Sequence, residues 1–175
     1  MNKNNKKKFP SLLIVGAARW GKDSLAEILS DKFDLKFKSS SQACADIFIY
    51  DELKLKYGYN TPEECFEDRV NHRQEWYEMI CEYNKDDKSR LAKDILKTTD
   101  CYVGMRDREE IDECLKNKLF DLVIWVDASD RLPLEDKKSF NIDKSCAHII
   151  LDNNGTYDEF VDKSVLLGKL LTGTI

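Results

Sequence analysis

The chain has no apolar run long enough to cross a bilayer. Its longest stretches, such as residues 122–126, fall far short of the roughly 20 residues a helical span requires. It also lacks the apolar segment and small-residue cleavage site of a secretory signal, since the first eight residues read MNKNNKKK. Residues 1–10 are expected to form a flexible basic tail. Histidine is scarce, with His72 and His148 standing apart. The six cysteines (Cys44, Cys65, Cys81, Cys101, Cys114 and Cys146) include no CxxC pair and no Cys/His cluster at zinc-site spacing. Reduced, mostly buried thiols and a cytoplasmic location are expected. Positive charge is in short supply outside the tail. The net charge of −5 becomes −9 once Lys3, Lys6, Lys7 and Lys8 are set aside, which disfavours extended nucleic-acid binding.

The 175 residues and 42% hydrophobic content suit one α/β domain, expected over residues 11–175. Short β-rich runs alternate with helical periodicity, the signature of βαβ units and a parallel sheet. Strands are expected at 12–15, 35–38, 101–105, 122–126 and 147–151. A helix from Asp23 carries Leu25, Ile28, Leu29 and Phe33 on one face. Ser41 can cap a helix running to Leu55. Thr61-Pro62 followed by Glu63 and Glu64 predicts another, continuous to Glu82. Further helices are expected over 86–97, 107–116 and 157–171.

Directly after the first strand, Gly16-Ala17-Ala18-Arg19-Trp20-Gly21-Lys22 fits GxxxxGK and leads straight into a helix. Glycines allow the tight turn, successive N–H groups point inward, and the helix N-terminus adds positive potential, so the segment suits phosphate. Lys22 can reach the β- and γ-phosphates. The hydroxyl residue that usually follows the lysine and binds Mg²⁺ is replaced by Asp23, with Ser24 one place later. Three roles stay open to Asp23: holding Mg²⁺ directly or through water, capping the helix, or orienting the acceptor.

Projected as one helix, residues 61–82 place Phe66, Val70, Tyr77, Ile80 and Cys81 on an apolar stripe. Arg73 falls inside it, and Arg69 and Trp76 lie at its edge. Inward cations require an anionic partner, either an acidic residue or an acceptor phosphate, and guanidinium suits phosphate through its bidentate fork; Trp76 or Tyr77 can stack on a base. Gly104, Arg106 and Arg108 follow a strand at the carboxyl edge where α/β proteins collect ligands, and Arg106 is the best single candidate for gripping the acceptor phosphate. Asp107 is expected to cap the next helix. Asp127, ending a later strand, can bind Mg²⁺ through water or stabilise its loop. Arg131 opens a polar segment (129–143) suited to a short lid, where an arginine can neutralise the transferring phosphoryl group. Asn153, Asn154 and Gly155, between a strand and a helix, have the composition of a turn and, beside a P-loop, of an adenine pocket.

These landmarks (GAARWGKDS, EDRVNHRQEWYEMICEYN, YVGMRDREE, VIWVDASDR and DNNGT) resemble the P-loop nucleoside monophosphate kinases. The similarity is greatest to the bacteriophage-type deoxynucleoside monophosphate kinases and more distant to animal-type phosphomevalonate kinases. The resemblance implies an α/β, three-layer P-loop NTPase fold with a five-stranded parallel sheet and a short lid, and host cytoplasm as the location if the chain is phage-encoded. It further implies ATP phosphates on Gly16 to Ser24, adenine near Asn153 to Gly155, the acceptor on Arg69, Arg73, Trp76 and Arg106 within acceptor-binding helices 41–98, and Arg131 in the lid. ATP and Mg²⁺ would be cofactors and small nucleotides the partners, with a homodimer left open. Two other readings accompany it: a P-loop kinase acting on a hydroxymethylated base in DNA, and a regulatory module that binds ATP without turnover.

Overall fold

A computed structural model describes residues 9–134 and 140–174. The expected tail, up to Lys8, and residues 135–139 of the segment expected to form a lid lie outside the described residues. Five parallel strands, β1 (Leu12–Val15), β2 (Phe37–Ser39), β3 (Cys101–Val103), β4 (Leu122–Asp127) and β5 (Ile149–Asp152), form one sheet in the order β2-β3-β1-β4-β5. β1 is therefore central, with Leu13 opposite both Tyr102 and Val123. The chain runs from β1 outward to β2, back to β3, and then across to β4. Crossovers that leave a central strand in both directions open a crevice at its carboxyl end.

Both faces of the sheet are covered, so its strands are apolar on both sides. Leu12, Ile14, Cys101, Val103, Ile124 and Val126 pack beneath α1 (Lys22–Phe33) and α8 (Tyr157–Thr172). Leu13, Val15, Tyr102, Val123 and Trp125 face the opposite layer. That layer comprises α2 (Ser40–Cys44), a π-helical turn at Ala45–Ile49, α3 (Tyr50–Tyr57), α4 (Pro62–Asp68), α5 (Arg73–Tyr83), α6 (Arg90–Leu96) and α7 (Arg108–Lys116). The alternation follows from the two-residue period of a strand. The α1–α8 crossing is close because Gly168 leaves room for Phe33, whose ring would lie 2.3 Å from a Cβ there.

Helix starts follow side-chain chemistry. Ser39, Thr61, Asp107 and Thr156 each accept a first-turn backbone N–H, and Glu159 closes a reciprocal box with Thr156. The expected continuous helix over 61–82 is instead two helices, separated by a 3₁₀ turn at Arg69–Asn71 and by His72, whose backbone (φ −126°, ψ 29°) has left the helix. Asp68 draws the break together. It accepts from Tyr59 Oη at 2.6 Å and Asn71 Nδ2 at 2.6 Å, and meets His72 Nε2 at 2.9 Å. The Tyr57 ring packs 4.0 Å from the imidazole. Local polar side chains thus outcompete the helical ladder. The single-helix projection fails in consequence: Val70 and Tyr77 are exposed, and Trp76 is buried. The helix expected to be capped by Ser41 starts two residues earlier, capped by Ser39, and passes through the π turn to Tyr57.

Candidate active site at the carboxyl edge of the sheet

The loop after β1 is shaped by three left-handed backbones: Gly16 (φ 148°), Arg19 (φ 63°) and Gly21 (φ 99°). A Cβ on Gly16 would stand 2.7 Å from the Val126 carbonyl oxygen, a backbone atom with little freedom to move. Left-handed residues interspersed with ordinary ones turn successive N–H groups toward one centre, making an anion-binding concavity. The first turn of α1 adds N–H groups with no intrahelical acceptor. Lys22 is buried and donates to the Ala17 carbonyl at 3.2 Å. Its Cε lies 3.8 Å from where a Cβ on Gly104 would stand, ordinary contact distance, so the lysine stem passes the end of β3, where the positive φ of Gly104 (96°) favours glycine. The loop lysine and the Gly104-to-Arg106 segment are thereby brought together. Ser40 Oγ, donating to Tyr102 Oη at 3.0 Å, lies 3.7 Å from the same point, and no local sequence signal marks it.

Asp23 is exposed in the first turn of α1, whose N-cap is Gly21 with no side-chain cap. The capping role for Asp23 is thus not the one the structure uses. Its charge reaches Arg69 electrostatically. Burial and the neighbouring Arg73 guanidinium pull the Arg69 pKa below its ordinary value, while Asp23 acts the other way. Arg69 curls over the Phe66 ring at 3.7 Å and donates to the Phe66 carbonyl at 2.6 Å. The break between α4 and α5 leaves Arg69 half-buried, while Arg73, expected inside an apolar stripe, is exposed at the first residue of α5. Trp76 is not with them: it is 4% exposed within the helical core.

On the other side of the loop, Arg19, Gly21, Ser24, Arg131, Asn153, Gly155, Tyr157 and Phe160 enclose a cavity of about 150 Å³. Asn153 organises it, donating from Nδ2 to the Trp20 carbonyl at 2.8 Å and from its backbone N–H to the Asp127 carbonyl at 2.7 Å. Its own carbonyl accepts Arg131 Nε at 2.8 Å. Arg131 is thus fastened beside Gly155 and Tyr157, whereas the sequence suggested a place over the transferring phosphate. Asn154 Oδ1 accepts the Asp130 N–H at 2.9 Å, tying the same two loops. Asp127 Oδ1 accepts the Ser129 N–H at 2.9 Å, the loop-stabilising alternative. Asp107 caps α7 as expected, accepting the Glu110 N–H at 3.1 Å. Glu110 does not complete a capping box. It accepts from Asn84 Nδ2 at 2.7 Å, and burial raises its pKa. A larger depression at the α5–α6 turn, lined by paired charges such as Asp87 and Lys93, lies away from the loop.

No protein-family model and no curated protein matches the sequence. Solved structures do match. Shikimate kinase from Acinetobacter baumannii in complex with shikimate superposes with a TM-score of 0.50 at 12% identity, over 95% of this chain and 94% of that one. Dephospho-CoA kinase from Campylobacter jejuni gives a TM-score of 0.47 at 14% identity, covering 94% and 99%. A gluconokinase from Sinorhizobium meliloti 1021 gives 0.45 at 16%, covering 95% of each. At 12% identity the likeness to the shikimate kinase is one of fold. With the parallel sheet and the loop after its central strand, it defines the chain as an α/β protein of the P-loop NTPase fold.

Proposed function

We propose that the protein is a kinase that transfers the γ-phosphate of ATP, with Mg²⁺, to a phosphate-bearing acceptor, a (deoxy)nucleoside monophosphate. The observation that carries this reading is the loop itself: left-handed Gly16, Arg19 and Gly21 and the buried Lys22 form an anion-binding concavity at the carboxyl edge of the central strand, and the charges of Arg69, Arg73 and Asp23 act on one another nearby. Arg69 is half-buried and Arg73 exposed, and neighbouring like charges are relieved when an anion joins them. Asp23 supplies only one carboxylate, whereas an acceptor phosphate would engage both guanidiniums by charge-assisted hydrogen bonds. Arg106, one residue past the buried Met105 on the strand edge where the Lys22 stem passes Gly104, is assigned to the acceptor phosphate on this reading.

ATP fits the loop: the N–H concavity takes the phosphates, and the cavity between Arg19, Arg131 and Tyr157 takes the base, with guanidinium faces suited to stacking. Mg²⁺ prefers oxygen donors and is commonly held by one or two protein groups plus phosphate. Asp23, Ser24 and Asp127 are the residues that would hold it, and no cluster of three or more His, Cys, Asp or Glu side chains competes among the described residues. When bound, the ion neutralises charge on the β- and γ-phosphates.

In the transfer itself, an acceptor phosphate oxygen forms a bond to the γ-phosphorus as the bond to the β–γ bridging oxygen breaks, leaving ADP. Lys22 offsets charge on the donor phosphates, while Arg69, Arg73 and Arg106 hold the acceptor in line. Positioning and charge neutralisation carry the catalysis. The acidic body opposes the alternative of a DNA-base acceptor, which calls for a basic groove. The test is chromatographic detection of nucleoside diphosphate after incubation with MgATP and each ribo- and deoxynucleoside monophosphate in turn. One or a few acceptors should be converted. ATP binding with no acceptor converted would return the protein to the class of non-catalytic nucleotide-binding modules.

A further inference from the structure

Arg106 is held by more than its strand. The segment following β4 returns to it: Asn141 donates its backbone N–H to the Arg106 carbonyl at 3.2 Å. Its side-chain Oδ1 accepts the Arg108 N–H at 2.7 Å, and its Nδ2 donates to Asp107 Oδ2 at 3.1 Å. One exposed residue thus bonds to three consecutive residues around the start of α7 across more than thirty positions of sequence. Asn141 is itself fixed, because its neighbours Phe140 and Ile142 are buried at 4% and 6% exposure. The Phe140 ring lies 5.9 Å from that of Trp125, which meets the loop residue Trp20 edge-on at 5.9 Å and 83°.

We propose that Asn141 is a positioning residue for acceptor binding: it clamps the Arg106–Arg108 backbone so that the Arg106 side chain is presented to the acceptor phosphate. The inference rests on the phosphate-acceptor reading above. It differs from a purely structural staple because the clamp sits on the segment carrying Arg106, while the ATP-side contacts run through Asn153 and Arg131. A side chain held by fewer backbone restraints loses orientation before it loses its fold, and misplacement by about an ångström is enough to weaken a phosphate grip.

The experiment compares the full-length protein with Asn141→Ala, which removes the bonds to the Arg108 N–H and Asp107 Oδ2 while keeping the backbone bond to Arg106, and, as a control, Ser145→Ala, which removes the hydroxyl that accepts Arg108 Nη1 at 3.2 Å and leaves both Asn141 side-chain bonds in place. Dissociation constants for ATP and for each nucleoside monophosphate are measured separately by calorimetry, with amide exchange at Arg108 and the thermal midpoint. Asn141→Ala is expected to weaken acceptor binding roughly tenfold, about 1.4 kcal/mol, and to leave ATP binding within about twofold. Faster exchange at Arg108 should accompany it, and Ser145→Ala should leave acceptor binding unchanged. A lowered thermal midpoint with unchanged acceptor binding would make Asn141 a staple only, and equal weakening of ATP would also overturn the proposal. If the wild type binds no monophosphate, the acceptor reading fails first and the inference falls with it. Should Asn141→Ala fail to fold, Asn141→Ser is measured the same way.

Discussion

Gly21→Ala perturbs the site at one atom, and its effect can be worked from contacts. Gly21 has φ 99°, a left-handed backbone that costs an L-residue about 1–2 kcal/mol. The added Cβ would stand 2.5 Å from Asn153 Nδ2, so the amide must move. Asn153 is 8% exposed, and its backbone is fixed through Asp127 and Arg131, so movement forfeits its bond to the Trp20 carbonyl, a loss of about 1 kcal/mol. The sum is about 2–3 kcal/mol, which for a chain of this size lowers the thermal midpoint by roughly 4–12 °C. ATP affinity should fall by roughly tenfold or more, because the same amide buttresses both loop and base cavity. Gly58→Ala is the matched control: Gly58 also has positive φ (77°), but nothing lies within 4 Å of its Cβ position. It should show the conformational cost alone and bind ATP normally. Equal thermal shifts for the two variants, with ATP affinity unchanged in Gly21→Ala, would refute the buttressing role of Asn153.

Other substitutions separate the parts of the site. Lys22→Ala should abolish phosphoryl transfer while leaving the circular dichroism spectrum intact, and retained turnover would mean that the loop lysine does not act on the donor phosphates. Arg106→Ala should raise the acceptor KM by roughly ten- to a hundredfold with the ATP KM within about twofold, as expected for loss of a charge-assisted contact; a selective rise in the ATP KM would contradict the assignment. For Glu110, burial holds the folded pKa above the ordinary glutamate value, so the unfolded chain ionises first as pH rises. Its contribution to stability is therefore lost on going from acid through the carboxylate range to neutrality. Glu110→Gln keeps an oxygen for Asn84 Nδ2 and removes the buried charge. The thermal midpoint of Glu110→Gln relative to the wild type should therefore rise as pH increases across that range, and a difference independent of pH would exclude this role for Glu110.

Much of this organisation is legible in the sequence because it is local. An apolar run, a glycine-bounded loop, a lysine and an amphipathic helix lie consecutively from Leu12 to Phe33, and the structure preserves that order. Caps at Thr61, Asp107 and Thr156 are likewise short-range chemistry. What escaped depends on contacts between distant or competing residues. The break at 69–72 arises where Asp68, Asn71 and His72 bond with one another and with Tyr59, and helical periodicity does not register such competition. Trp76 consequently turned inward while Val70 and Tyr77 turned out. Arg131 was visible as a cation in a polar segment, but its attachment to the Asn153 carbonyl joins two loops 22 residues apart. The Asp107 cap was legible, whereas the pairing of Glu110 with Asn84, 26 residues away, was not. The role of Asn141 has no local signature, since its side-chain partners lie 33 and 34 residues away.

The central claim, that the loop delivers a phosphoryl group to a phosphate-bearing acceptor, is tested most directly by following γ-labelled ATP in the presence of Mg²⁺ and a panel of nucleoside monophosphates, with Lys22→Ala alongside. The account predicts label in the β-position of a nucleoside diphosphate for the wild type and none for Lys22→Ala. Label that remains in ATP, or appears only as inorganic phosphate with every acceptor, would contradict it.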